Sequence, residues 1–281
     1  MPERSHFLSA PRSREALDRD YSPSRFVPSL PAVIADWATR TTAAREAAGP
    51  VELLAYGAHP RETIDLYRAA TPGGPLLVFI HGGFWKALSR DESGFVAPRW
   101  TARGVNVAVL DYVLAPEATL DAITAQAAAG LRWLVDHAEM LGFDAARVVV
   151  AGHSAGAHLA AMAALPGTAP PLAGLVLASG VFDLAPITGC YVNEVLGLDA
   201  EAARRLSPAL MLPARPLPVL VAVGEEEPVA FQEQSRALAW SWRGHGCEGG
   251  VMLVPGHNHF SILDDLADPA APLGQAVARM L

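Results

Sequence analysis

The sequence predicts an α/β fold: one mostly parallel central sheet with helices on both faces and a small helical cap. Three observations carry that prediction. Five near-continuous apolar runs, at residues 76–80, 105–110, 147–151, 174–179 and 217–223, have the length of strands and the unbroken hydrophobicity of strands buried on both faces. Stretches of helical periodicity alternate with them, which implies right-handed crossovers in a doubly wound sheet. The 281 residues are 51% hydrophobic and 18% charged, enough apolar material for one large core and too little charge for a disordered chain.

In chain order, residues 1–49 carry scattered apolar positions (Leu17, Phe26, Leu30, Ile34, Trp37) and are broken by Pro23, Pro28 and Pro31. They read as a helical arm or cap lying on a main catalytic domain of residues 50–281. Residues 51–56 and 62–68, separated by a turn with Gly57 and Pro60, read as an antiparallel pair. The parallel strands follow, closing with one at 251–254. Helices are expected at 121–139, where Ile123, Ala127, Leu131 and Leu134 share a face, and at 155–165, 230–242 and 262–281. Residues 187–207 are expected to cap the site. In such a sheet the ligand lies beyond the carboxyl ends of the strands, so a functional motif should follow a strand.

Net charge of −8 and the lack of any Lys/Arg run argue against nucleic acid or anionic lipid as partner. No apolar run reaches membrane-spanning length, and no secretory h-region opens the chain. The two cysteines, Cys190 and Cys247, form no disulfide or metal framework, so a cytoplasmic protein is expected. No His/Cys/Asp/Glu set has metal-ligand spacing and no dinucleotide fingerprint is present, so neither metal nor cofactor is expected. The expected partner is a small-molecule amide or ester; a homodimer stays open.

The strand at 147–151 runs into Gly152-His153-Ser154-Ala155-Gly156 and then a helix. This is G-x-S-x-G in strand–turn–helix context: a tight turn flanked by small residues that lifts the serine hydroxyl above the sheet. Ser154 is the candidate nucleophile. The strand at 76–80 runs into His81-Gly82-Gly83-Phe84-Trp85, a loop able to aim backbone amides at a developing oxyanion. The candidate donors are the amides of Gly82, Gly83 and Ala155, with His81 holding the loop. The base is expected near the C-terminus, where His257 and His259 compete; His259, directly before the last helix, is preferred. The acid should follow the strand at 217–223, where Glu225-Glu226-Glu227 stand after Gly224. Glu227 is selected, with Glu226 as runner-up. Phe84, Trp85, Tyr112, Phe182 and Tyr191 are candidate pocket walls.

These motifs, together with Tyr21-Ser22-Pro23-Ser24-Arg25, Tyr56-Gly57, Leu114-Ala115-Pro116 and 224–235, resemble the arylformamidase (kynurenine formamidase) branch of the α/β-hydrolase superfamily over about nine-tenths of the chain. The resemblance implies a serine hydrolase that converts N-formyl-L-kynurenine to kynurenine and formate, a step of tryptophan catabolism, and that also cleaves small aryl esters. Glu227 stands where the branch usually carries Asp. The alternatives are a broad carboxylesterase or amidase for small acyl esters or carbamates, and a catalytically inactive ligand receptor. A formyl-kynurenine leaving group would need a cation for its carboxylate, and Lys86 and Arg90 are the nearest in sequence.

Overall fold

The computed structural model describes residues 12–49, 51–168 and 170–281; the opening of the N-terminal arm, residues 1–11, lies outside them. Eight strands form one sheet in the order β1-β2-β4-β3-β5-β6-β7-β8. They are β1 (Glu52–Ala55), β2 (Thr63–Tyr67), β3 (Gly74–Ile80), β4 (Asn106–Leu110), β5 (Phe143–His153), β6 (Gly174–Ala178), β7 (Val219–Gly224) and β8 (Val251–Val254). β1, β2 and β4 pair antiparallel, and every other neighbouring pair is parallel. This is the α/β-hydrolase fold. The antiparallel pair at the chain's start forms one edge, and the five apolar runs form the buried centre.

The sheet separates two cores, and the period-2 geometry of a strand divides its residues between them. Leu76, Val78 and Ile80 of β3 face one core with Val148, Val150, Leu175 and Leu177. Leu77 and Phe79 face the other with Val149, Ala151, Val176 and Ala178. The first is covered by the helices Leu120–Asp136, Ala155–Ala163 and Val229–Ser241, and the second by Leu30–Ala48, Ile262–Ala267 and Pro272–Ala278. Each fully buried Leu, Val or Phe contributes about 1.5–3 kcal/mol, so this two-sided burial is the main stabilising term.

Two helices are shorter than their apolar periodicity suggests. The one expected over 121–139 ends at Asp136, where His137 caps it. The one expected over 262–281 is two helices, parted at residues 268–271. Pro269 falls there and Pro272 opens the second helix, and proline cannot donate to a continuing helix.

In the arm, helices Arg14–Asp20 and Leu30–Ala48 start at Ser13 and Ser29, whose hydroxyls accept the amides of Ala16 and Ala32. Fully buried Tyr21 accepts a hydrogen bond from Gln234 Nε2 at 2.8 Å. Trp37 stacks on Phe95 at 5.6 Å. Arg45 reaches Asp65 of β2 with two nitrogens. The arm is thereby fastened at both ends.

Candidate active site

Ser154 sits between β5 and the helix Ala155–Ala163 with φ 55° and ψ −119°. Few non-glycine residues hold such a conformation, and it persists only where the surroundings fix it. A Cβ on Gly152 would lie 2.2 Å from the Gly156 carbonyl oxygen, and one on Gly156 would lie 2.0 Å from that of Ile80. The turn therefore admits only glycine at both flanks. The Ser154 amide donates to the Ala178 carbonyl at 2.9 Å, fixing the elbow to β6. Ala155 begins the helix, and its amide is one of the first-turn donors left without an intrahelical acceptor.

The loop after β3 reaches Ser154 because Gly82 has no side chain: a Cβ there would lie 3.0 Å from Ser154 Cβ. Gly83, Phe84 and Trp85 follow with positive φ of 99°, 49° and 57°. A buried polar network holds this strained run. Nδ1 of His81 lies 2.8 Å from the Gly82 carbonyl oxygen and its Nε2 3.2 Å from Asp111 Oδ1. Tyr112 stacks on His81 at 4.3 Å and donates its hydroxyl to the carbonyls of His81 and Gly82. Arg61 donates to Asp111 Oδ1, Tyr112 O and Leu88 O at 2.7–2.8 Å, joining the hairpin to the loop's far end. Burial pushes the Asp111 carboxyl up, but His81 and Arg61 outweigh it and hold the group below its ordinary value.

The turn after β7 buries Glu227 while Glu225 and Glu226 face solvent. Glu227 Oε2 accepts from His259 Nδ1 at 2.7 Å. Its Oε1 accepts from the Ser179 hydroxyl at 2.5 Å and the Gly224 amide at 2.7 Å. Both oxygens are thus oriented, which accommodates the longer side chain. The His259 ring lies against Phe231 at 4.5 Å and His153 at 4.8 Å. His153 donates Nε2–H to the His259 carbonyl at 2.7 Å. Burial and the neighbouring His259 push the His153 imidazole well down, so it stays neutral. His257 instead meets Ser261 Oγ at 3.2 Å and lies 4.0 Å from Asp265. The two runners-up, Glu226 and His257, are therefore placed away from the Glu227–His259 pair.

Ser154 and His259 open into one cavity of about 190 Å³. No hydrogen bond joins them among the described residues; such contacts are often loose without substrate and tighten when it binds. The loop supplies Gly83, Phe84, Lys86 and Leu88 to the wall. The arm supplies Pro23, Ser24, Leu30, Ile34 and Trp37, and the segment after β6 supplies Tyr191. Arm and segment meet here: Asp18 accepts the Tyr191 amide at 2.6 Å, and the Tyr191 ring stands edge-on to Phe84.

Three of the expected pocket aromatics belong to the core instead. Trp85, Tyr112 and Phe182 are fully buried and absent from the cavity wall. Trp85 packs edge-on against His158 at 5.0 Å, and His158 donates Nε2–H to the Leu206 carbonyl, tying the core to the cap. Tyr112 is spent on the loop. The Phe182 amide is fixed by Gln234 Oε1 at 2.8 Å. Arg90 is also elsewhere, paired with Asp65 at 2.9 Å. Sequence reasoning missed Arg61, Asp111, Ser179 and Phe231. Of these, Asp111 and Ser179 directly follow strands β4 and β6, the position where functional groups collect in such sheets.

Among the described residues no three His, Cys, Asp or Glu side chains gather as a metal site, and no helix is long and apolar enough to cross a membrane. A hydrogen-bonded carboxylate–imidazole pair beside an exposed-backbone loop and a strained serine is the constellation of acyl transfer through a serine ester.

The family model BD-FAE matches residues 64–178. The chain is 30% identical over 287 residues to a kynurenine formamidase of Danio rerio, covering 96% of this chain and 97% of that protein. It is 31% identical to a kynurenine formamidase of Salmo salar with the same coverage of each. Among solved structures, a provisionally assigned thioesterase from a Silicibacter species superposes with a TM-score of 0.83 at 28% identity, covering 93% of this chain and 98% of that one. An esterase of Pyrobaculum calidifontis shares the fold with a TM-score of 0.71 at 21% identity, over 95% of this chain and 96% of that one.

Proposed function

This chain belongs to the kynurenine formamidase family and is a serine hydrolase, and on that footing we propose that it hydrolyses N-formyl-L-kynurenine to kynurenine and formate. The observation that carries the proposal is the Glu227–His259 hydrogen bond opening into the same cavity as Ser154.

In the proposed reaction the Ser154 hydroxyl attacks the formyl carbonyl and gives its proton to His259 Nε2. Glu227 keeps the proton on His259 Nδ1, so that Nε2 is the basic atom, and stabilises the imidazolium that forms. The carbonyl oxygen becomes an oxyanion facing the amides of Gly82, Gly83 and Ala155. The C–N bond then breaks as His259 returns the proton to the aryl nitrogen, leaving a formyl ester on Ser154. Water attacks that ester as His259 takes its proton; the bond from the formyl carbon to Ser154 Oγ then breaks as His259 returns that proton to Oγ, and formate leaves. Phe84 and Tyr191 supply aromatic wall for the aryl ring.

A second reading, a carboxylesterase for small acyl esters, is favoured by the cavity itself. Its volume of about 190 Å³ is below the roughly 300–1,000 Å³ of pockets for drug-sized ligands.

We further place the enzyme in the cytoplasm, which is supported by two buried cysteines with free thiols. A homodimer is the assembly to seek by gel filtration. The functional test is formate release from N-formyl-L-kynurenine in equal amount to kynurenine, abolished by a fluorophosphonate that labels Ser154. Labelling of Ser154 without any turnover of the formamide would leave the esterase reading.

A further inference from the structure

Lys86 is the single lysine of the 281-residue chain; the other twenty Lys/Arg positions are arginine. It lies half-buried on the wall of the cavity that holds Ser154. No other Lys or Arg and no Asp or Glu stands among the described residues of that wall. Its Nζ sits 5.2 Å over the Tyr191 ring. An ammonium held against a ring face is attracted by the ring quadrupole and keeps its N–H donors for other acceptors. Among the described residues no carboxylate pairs with it, whereas Arg90, the other basic residue close by in sequence, is occupied by Asp65.

The surroundings sharpen the meaning of this charge. The protein carries a net charge of −8, which disfavours an approaching anion. Apart from the Ser154 machinery the wall is largely apolar: Phe84, Tyr191, Trp37, Ile34 and Leu30. Within such a wall an ammonium interacts with a counter-charge more strongly than in water. An anion therefore gains a partner here, and an ammonium group meets one like charge and no described carboxylate.

We propose that Lys86 is a specificity-determining residue that makes this site prefer aryl substrates bearing a carboxylate and, among these, favour those without an ammonium group. The proposal rests on the formamidase reading for the bond cleaved, but concerns the rest of the substrate. N-formyl-L-kynurenine carries both a carboxylate and an ammonium. Its analogue with hydrogen in place of the ammonium, 4-(2-formamidophenyl)-4-oxobutanoate, should therefore be the better substrate.

The experiment measures kcat/KM of the full chain for three formamides: N-formyl-L-kynurenine, the desamino carboxylate, and the neutral carboxamide of the latter. The desamino carboxylate is expected to exceed the other two. Charge-assisted hydrogen bonds contribute about 1.5–3 kcal/mol, so the carboxylate-to-carboxamide ratio should be roughly ten- to a hundredfold. In Lys86→Met that ratio should collapse towards one, chiefly through KM, and in Lys86→Arg it should survive. Added salt should lower it in the wild type.

A wild-type ratio near one, or a ratio unchanged in folded Lys86→Met, overturns the role of Lys86. N-formyl-L-kynurenine outperforming the desamino carboxylate overturns the preference against the ammonium. If no formamide is turned over while aryl esters are, the formamidase reading fails separately. The ratio of 3-acetoxybenzoate to 3-acetoxybenzamide in wild type and Lys86→Met then decides the role of Lys86 in the same two ways.

Discussion

Nδ1 of His259 lies 2.7 Å from Oε2 of Glu227, inside a buried turn where Oε1 of the same carboxylate is held by Ser179 and Gly224. Three donors on two oxygens fix a side chain one methylene longer than aspartate. The carboxylate is thus set by the strand ends that surround it as much as by its own position.

That geometry separates the three adjacent glutamates. Glu227→Gln keeps the shape but removes the carboxylate that orients His259, and kcat should fall by about 10³–10⁴. Glu227→Asp should fall less, by roughly tenfold, because a shorter arm cannot satisfy His259, Ser179 and Gly224 together. Glu226→Gln, at an exposed site, should stay near wild type. Steady-state kinetics on any accepted ester reads all three.

Ser179→Ala tests the positioning of the Glu227 carboxylate without touching the proposed triad of Ser154, His259 and Glu227. The loss of one charge-assisted hydrogen bond to a buried carboxylate should cost kcat about tenfold or more. KM should be unmoved, because Ser179 is absent from the cavity wall. A rise in KM with kcat intact would assign Ser179 to the pocket instead.

Gly82→Ala places a Cβ 3.0 Å from Ser154 Cβ and 3.1 Å from the His153 carbonyl oxygen. The loop must retreat, and with it the amides proposed to face the oxyanion. We expect a kcat loss of about 10²–10³, the size of one lost oxyanion donor, in a protein whose Tm changes little. Gly156→Ala, meeting the Ile80 backbone oxygen at 2.0 Å, should instead fail in stability, seen as a lowered Tm.

Acid should destabilise the fold through its buried histidines. Burial pushes the His158 imidazole down to about 4 from an ordinary value of 6.5. The unfolded chain therefore binds a proton that the folded chain refuses between those values. Stability is full above the unfolded value and falls as the pH drops through it. His158 alone should account for about 2 kcal/mol between roughly pH 7.5 and pH 5, and His153 adds to it with the same sign. Asp111, held below its ordinary value, acts only at more acid pH. Urea unfolding of wild type and His158→Gln across this range should show a shallower pH dependence in the variant; parallel curves would remove His158 as the source.

Much of this was legible in the sequence, for physical reasons that also mark where legibility ended. Strands such as β3 were visible because both of their faces are buried, so Leu76 to Ile80 had to be apolar without a break. Ser154 was visible because its strained turn tolerates only glycine on either side. Trp85, Tyr112 and Phe182 were misplaced because aromatic identity does not say which face of a loop points inward. The Arg61–Asp111 pair spans 50 positions, and nothing local in either residue announces the other. The contribution of Leu30, Ile34 and Trp37 to the cavity follows from how the arm crosses the sheet, a tertiary fact that no periodicity encodes.

The most direct measurement is kcat/KM for N-formyl-L-kynurenine beside p-nitrophenyl acetate, with Ser154→Ala as the blank. A value above about 10⁴ M⁻¹s⁻¹ on the formamide, ahead of the ester and abolished in Ser154→Ala, is the predicted result. Turnover of the ester alone would contradict the formamidase assignment, and formamide turnover that survives Ser154→Ala would contradict the acyl-enzyme.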